Sequence, residues 1–198
     1  MEWVGLERYL GERGWPGRGE FATSADLLLA YENSNGNRHG VLVESKYTET
    51  YSDDRRSDEG RSGERRLATY APLFEAEDSP IRKDRGLKPR DLLVEPFYQH
   101  FRQQLLAAAM ERERELDFDT VTCLHVSPRA NREFHEGITA PELREFGETV
   151  GEAWKAILVN PDRYRSVAYE DLFAAVAAAG DPEMVGWEQY QRARYGWE

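Results

Sequence analysis

Residues Asp26 to Lys46 constrain the fold more than any other stretch of the chain. Two apolar runs, Leu27-Leu28-Leu29-Ala30-Tyr31 and Val41-Leu42-Val43, flank the polar cluster Asn33-Ser34-Asn35-Gly36-Asn37. Apolar runs on either side of such a cluster predict a β-hairpin. Asn35-Gly36 is the turn signal, and a three-residue loop of Ser34, Asn35 and Gly36 with Gly36 left-handed is a common hairpin solution. That loop sets the register: Asp26 opposite Glu44, Leu27 opposite Val43, Leu28 opposite Leu42, Leu29 opposite Val41. Opposed residues share a face. One face then carries Leu27, Leu29, Tyr31, Val41 and Val43; the other carries Asp26, Leu28, Leu42, Glu44 and Lys46. A slip of one residue would mix the two sets, because the strand period is two. Two carboxylates and an ammonium therefore gather at one end of one face.

An acid at the start of one strand, with Glu44-Ser45-Lys46 closing the next, resembles the PD-(D/E)XK nuclease superfamily. The resemblance implies an α/β fold with a restriction-endonuclease-like core: a mixed central β-sheet flanked by helices. It further implies Mg²⁺-dependent phosphodiester hydrolysis, with Mn²⁺ as a substitute, and a nucleic acid substrate, DNA before RNA. In its terms Asp26, Glu44, Lys46 and Gln99 are the catalytic residues, and Asp26, Glu44 and the Ser45 carbonyl hold the metal. Ala25 stands where the family often has Pro.

The chemistry suits these residue types. Mg²⁺ takes oxygen ligands and keeps several waters beside one or two carboxylates. The ion polarises a phosphoryl oxygen and acidifies a bound water, and Lys46 can orient that water or stabilise charge in the transition state. The plainer alternative is Lys46 salt-bridged to Glu44 or Asp26 on a solvated face. The functional alternative is a non-catalytic nucleic-acid-binding or scaffold domain that keeps the nuclease fold.

Composition narrows the field. The 198 residues are 40% hydrophobic and 32% charged, which predicts one domain, 1–198, with a nuclease-like core over about 20–128 and a helical C-terminal extension over about 140–198. No apolar run approaches the roughly 18 residues of a membrane span, and Met-Glu-Trp-Val-Gly lacks the features of a signal peptide, so the expected compartment is the cytoplasm. The single Cys123 excludes an internal disulfide and a cysteine-based zinc site. A net charge of −11 argues against a generic nucleic-acid coat protein. It leaves a nuclease open, because binding depends on the local field. Oligomeric state is open, a homodimer included.

The rest of the chain fits around the hairpin. Trp3, Val4, Leu6 and Leu10 predict a short helix over 2–11, and a loop follows from Gly11 to Gly19. Some superfamily members draw an extra acid from the first helix; Glu7 and Glu20 are the two choices. Ser52–Arg66 reads as an exposed loop, its arginines either meeting phosphate or simply solvated. The stretch Arg82, Lys83, Arg85, Lys88, Arg90 has the same two readings, and Leu67–Phe74 reads as a helical turn or short strand ending near Pro72. Pro96 opens a helix running to about Leu116, with Phe97, Phe101, Leu105 and Met110 on its stripe. Some superfamily branches carry Gln-x-x-x-Tyr on this helix; here Gln99 is followed by Gln103, so the Tyr is absent. Gln99 then supports Lys46 or a phosphate, while Gln103 and Gln104 read as exposed amides. A strand over Asp119–Val126 contains His125, read as a structural histidine. A helix from Pro141 to Leu158, a strand over Arg165–Tyr169, a helix over Glu170–Ala179 and an aromatic terminal helix with Trp187, Tyr190, Tyr195 and Trp197 complete the chain. There is no repeat, Gly-rich phosphate loop, nucleophile elbow or coiled-coil register.

Overall fold

The structure is a computed structural model that describes residues 9–12, 22–48 and 60–196. Most of the helix predicted over 2–11, most of the loop after Gly11, and Glu7, Glu20 and Trp197 lie outside the described residues.

The hairpin forms in the predicted register. Strand β1 (Leu27–Glu32) pairs antiparallel with β2 (Arg38–Ser45), Leu27 facing Val43, Leu28 facing Leu42 and Leu29 facing Val41. Asn33 N–H donates to the Asn37 carbonyl and Gly36 N–H to the Asn33 carbonyl, each at 3.0 Å. Gly36 has φ 80°, a conformation costly for residues with a Cβ. The Asn33 side chain fastens the loop by accepting from the Asn35 and Asn37 amides.

Among the described residues, two further strands complete a mixed sheet of order β1-β2-β3-β4. Strand β3 (Thr120–Ser127) runs parallel to β2, and β4 (Tyr164–Ala168) parallel to β3. Parallel neighbours need crossover connections. Helices α1 (Gly60–Glu75) and α2 (Phe97–Arg112) lie in the first, α3 (Arg132–Glu136) and α4 (Val150–Ala156) in the second. Helices α5 (Tyr169–Ala178) and α6 (Pro182–Tyr195) follow β4. This is the α/β arrangement that the resemblance implies, a mixed sheet flanked by helices with further helices at the C-terminus.

The two sheet faces differ as the register requires. Gly40, Leu42, Glu44 and, just past the strand, Lys46 are buried with Val121, Cys123 and His125 of β3. Leu27, Leu29 and Tyr31 on the other face are exposed. The inner face packs on α2, whose Phe97, Phe101, Leu106 and Met110 join Phe118, Trp154 and Tyr164 in the core. Gly40 makes room there, since a Cβ would stand 2.9 Å from the Phe118 ring.

Four predicted elements are corrected. Of the loop predicted over 52–66, residues 52–59 lie outside the described residues and the rest, from Gly60, is α1, which continues past Leu67 and through Pro72. Its apolar anchors, Tyr70 and Phe74, reach the Phe101 ring; the first two turns are polar and carry no such signal. Helix α2 stops at Arg112 rather than Leu116. Arg114, Leu116 and Asp117 take positive φ, turning the chain so that Asp119 N–H meets the Arg38 carbonyl at 2.8 Å. Because α2 is surrounded, Gln103 and Gln104 are buried, each 2% exposed, not surface amides. The helix predicted over 141–158 is broken: a 3₁₀ segment, Pro141–Phe146, is followed by extended Gly147 and then α4. Thr149 starts α4 with a capping box to Glu152, satisfying orphan backbone donors. Leu143, Val150, Trp154 and Ile157 are nevertheless all buried. The C-terminal aromatics partly pack, with Phe173 edge-on to Trp187 at 4.6 Å and Tyr47 to Tyr195 at 5.4 Å.

Candidate active site

Glu44 is the centre of the site. Strand alternation places it on the inner face beneath α2, where it is 5% exposed. A carboxylate there is costly unless charge-paired and hydrogen-bonded, and three side chains supply that. Lys46 Nζ lies 2.9 Å from Glu44 Oε1. Gln99 Nε2 donates to the same oxygen. Gln103 Nε2 donates to Oε2 at 2.6 Å. Gln99 and Gln103 are four residues apart on α2 and so share a face. Lys46 is itself 8% exposed, and its backbone N–H is tied to the Val126 carbonyl of β3 at 2.8 Å. A carboxylate offers about four lone-pair sites. These contacts fill both on Oε1 and one on Oε2.

Asp26 sits immediately before β1, at the height of Glu44, and is exposed. Its Oδ2 accepts the Ser45 N–H at 2.8 Å. The Ser45 hydroxyl is turned to the other side, against the Tyr169 hydroxyl. The structure thus brings Glu44, Lys46 and Gln99 into direct contact, and Asp26 joins them through the Ser45 backbone. The donors suit a hard cation: Asp26, one remaining lone pair on Glu44 Oε2, and the Ser45 carbonyl. Among the described residues no cluster of three or more His, Cys, Asp or Glu is disposed to hold a metal. A pair of carboxylates with a carbonyl fits Mg²⁺ or Mn²⁺, which complete their shells with water and phosphate, better than a closed zinc site.

The sequence marks His125 as a structural histidine but not what it joins. His125, 1% exposed, faces Gln103 Oε1 from its Nε2 at 2.9 Å. Its ring stacks on His100, centroids 4.0 Å apart. The His100 Nδ1–H donates to the Pro96 carbonyl at 2.9 Å, and its Nε2 accepts from the Tyr164 hydroxyl at 3.0 Å. Burial lowers the pKa of His100 to about 4. Burial, then His100 and Lys46, hold that of His125 well below the ordinary range. Both rings are therefore neutral at neutral pH. Among the described residues His125 Nδ1 has no hydrogen-bond partner, a burden of roughly 1–3 kcal/mol. Gln103 also donates to the Ser24 carbonyl at 3.1 Å, so one amide links β2 to the segment that carries Asp26.

Around this centre lie further ionisable groups. The Arg66 and Arg102 guanidiniums stand over the Tyr98 ring at 4.4 and 4.6 Å. Burial raises the Glu95 carboxyl, opposed by the fields of Arg102, Arg66 and Lys46. Glu12 receives the Thr23 amide and hydroxyl, each at 2.6 Å, and the Tyr70 hydroxyl. Glu12 and Glu95 carried no sequence signal beyond their positions in a loop and before Pro96. Of the second basic stretch, Arg82 pairs with Asp84 and Arg90 with Glu64 at 2.9 Å, contacts at the exposed surface that are worth little. Arg129 pairs with Asp171. With Asn131, Tyr47 and Tyr195 it borders a cavity of about 590 Å³ beyond the ends of β2 and β3.

A protein-family model described as restriction endonuclease associating with ARP matches residues 2–196. No curated protein and no solved structure matches the chain.

Proposed function

The chain belongs to the family of restriction endonucleases associating with ARP, and on that premise we propose that it is a Mg²⁺-dependent nuclease that hydrolyses phosphodiester bonds of DNA. The observation that carries the reading is the Glu44 carboxylate, buried at the end of the hairpin, paired with Lys46 and steadied by two helix amides. Asp26, Glu44 and the Ser45 carbonyl would hold the divalent cation, which when bound supplies an acidified water and a polarised phosphoryl oxygen. Lys46 sets a fixed positive charge where negative charge grows on the phosphoryl group or the attacking oxygen. Gln99 and Gln103 keep the Glu44 carboxylate in one orientation, which lowers the cost of arranging the site at the moment of reaction. Arg66 and Arg102, held over Tyr98, supply positive field near the site in a chain of net charge −11. The family description names association with ARP, and we extend the proposal to association with such a partner. No helix among the described residues is long and apolar enough to cross a membrane.

A second reading, a nucleic-acid-binding domain that keeps the fold without cutting, is favoured by the filling of Glu44 Oε1 by Lys46 and Gln99. Cleavage decides between them. Wild type and Glu44→Ala are compared on DNA and RNA with Mg²⁺ or Mn²⁺, folding being checked by circular dichroism. Metal-dependent cutting by wild type alone is expected. Cutting that survives the substitution overturns the site. No cutting, with no cation bound by calorimetry, moves the assignment to the binding domain.

A further inference from the structure

Gln103 bridges the two acid-bearing segments, because its amide nitrogen reaches both Glu44 Oε2 and the Ser24 carbonyl, two residues before Asp26. Both partners are oxygens that only accept, so both amide hydrogens are committed. The amide oxygen must then face the sheet, where it meets His125 Nε2 at 2.9 Å. His125 and Glu44 are register partners on β3 and β2, so the ring and the carboxylate stand side by side under the same helix.

From these contacts we infer that His125 is a positioning residue: its Nε2–H fixes the Gln103 amide, which in turn fixes Glu44 and the Asp26 segment. The inference rests on the reading of Glu44 as the site's carboxylate. Donor counting sets the tautomer. Gln103 Oε1 can only accept, so His125 Nε2 must carry the proton, and Nδ1 is left bare. His100 cannot rescue Nδ1, because its own two nitrogens are engaged by the Pro96 carbonyl and the Tyr164 hydroxyl. An unsatisfied buried nitrogen is thus tolerated at a strand position between Cys123 and Ser127 on that face, the Ser127 hydroxyl being engaged with His135 Nε2 at 3.3 Å. An apolar residue would remove the orphaned nitrogen, but it would leave Gln103 Oε1 buried with no donor and the amide free to rotate away from Glu44. Supporting groups of this kind typically change metal affinity by about 10–100-fold when lost.

The test uses the full chain and reads the contact and its consequence separately. Long-range ¹⁵N–¹H correlation spectra of the metal-free wild type should show His125 protonated at Nε2. The Gln103 side-chain amide should give one sharply defined pair of resonances. His125→Leu should broaden or shift that pair and weaken Mn²⁺ binding by about tenfold. His125→Gln, whose Nε2 donates from nearly the same place, should restore both. Protonation at Nδ1, an unchanged Gln103 amide in His125→Leu, or equal loss of Mn²⁺ affinity in the Leu and Gln variants would each overturn the inference. A wild type that binds no Mn²⁺ sinks the metal reading alone, and the tautomer and amide signals of the metal-free protein then decide the role of His125. If His125→Leu does not fold, the tautomer in wild type and the Gln variant still decide it.

Discussion

Gln103 and Glu44 meet across 2.6 Å beneath the sheet face, the helix amide donating to the strand carboxylate. The same side chain serves Ser24 and His125, so Gln103→Leu strands three polar partners at once, two of them, Glu44 and His125, buried. A buried group left without its partner costs about 1–3 kcal/mol, more when charged. Relaxation and water entry recover part of the sum, and a net loss of about 3 kcal/mol is expected. Urea unfolding checks it: the midpoint should fall while the slope stays that of wild type. A loss below about 0.5 kcal/mol, the range of an ordinary surface change, would mean that the three contacts do not hold together in solution.

Lys46 is the second case. Read from sequence, the plainer alternative pairs Lys46 with Glu44 or Asp26 on a solvated face, where such a pair adds little to stability. In the structure it lies 2.9 Å from Glu44, and the two side chains are only 10% and 7% exposed. Removing one partner of a buried pair leaves the other charge uncompensated and typically costs about 3–5 kcal/mol. Gln99 and Gln103 still solvate Glu44, so Lys46→Met should sit at the low end, about 3 kcal/mol. Cleavage should be lost even at temperatures where the variant is folded. A variant as stable as wild type would show that the pair is open to water.

The stacked histidines make stability depend on pH. The unfolded chain protonates its histidines near the ordinary 6.5, whereas folded His100 resists until about 4. Between those values the unfolded state binds more protons, so stability falls as pH falls. The contribution is complete above 6.5 and spent near 4, and its size is about 3 kcal/mol. His125 pushes the same way. Unfolding midpoints measured across that window should therefore drop steeply toward acid, and His100→Phe should shallow the slope. A flat profile would mean that the rings are not held neutral.

How far the sequence foretells this molecule depends on how local each determinant is. The hairpin was readable because Gly36 demands one loop and the alternation from Leu27 to Lys46 admits one register. Gln99 was readable only through a family pattern. Gln103 was not, and His125 was readable as a structural histidine but not for its contact with Gln103, because their meaning comes from α2 being surrounded by core, and the stripe of Phe97, Phe101 and Leu105 describes only one side of that helix. Helix α1 was hidden by its first turns, where Arg61, Glu64, Arg65 and Arg66 look like any solvated segment; its apolar hold on the body comes later, from Leu67, Leu73, and Tyr70 and Phe74 against Phe101. The break at Gly147 was hidden for the converse reason. The apolar stripe from Leu143 to Ile157 is continuous, while the backbone that carries it is not.

Asp26 separates a structural role from a chemical one. Its Oδ2 accepts the Ser45 N–H at 2.8 Å, joining the start of β1 to the end of β2. Asn keeps an oxygen that can accept this bond but loses the charge; Ala loses both. If Asp26 only closes the hairpin, Asp26→Asn should behave as wild type in every assay. If it also holds the cation, the two variants should part in stability and agree in chemistry. The expected result is that Asp26→Asn stays within about 0.5 kcal/mol of wild type and Asp26→Ala loses about 1 kcal/mol. Both should bind Mn²⁺ weakly in calorimetry and both should fail to cut DNA. Full Mn²⁺ affinity in Asp26→Asn would reduce Asp26 to a cap on Ser45 and leave Glu44 as the one carboxylate of the site.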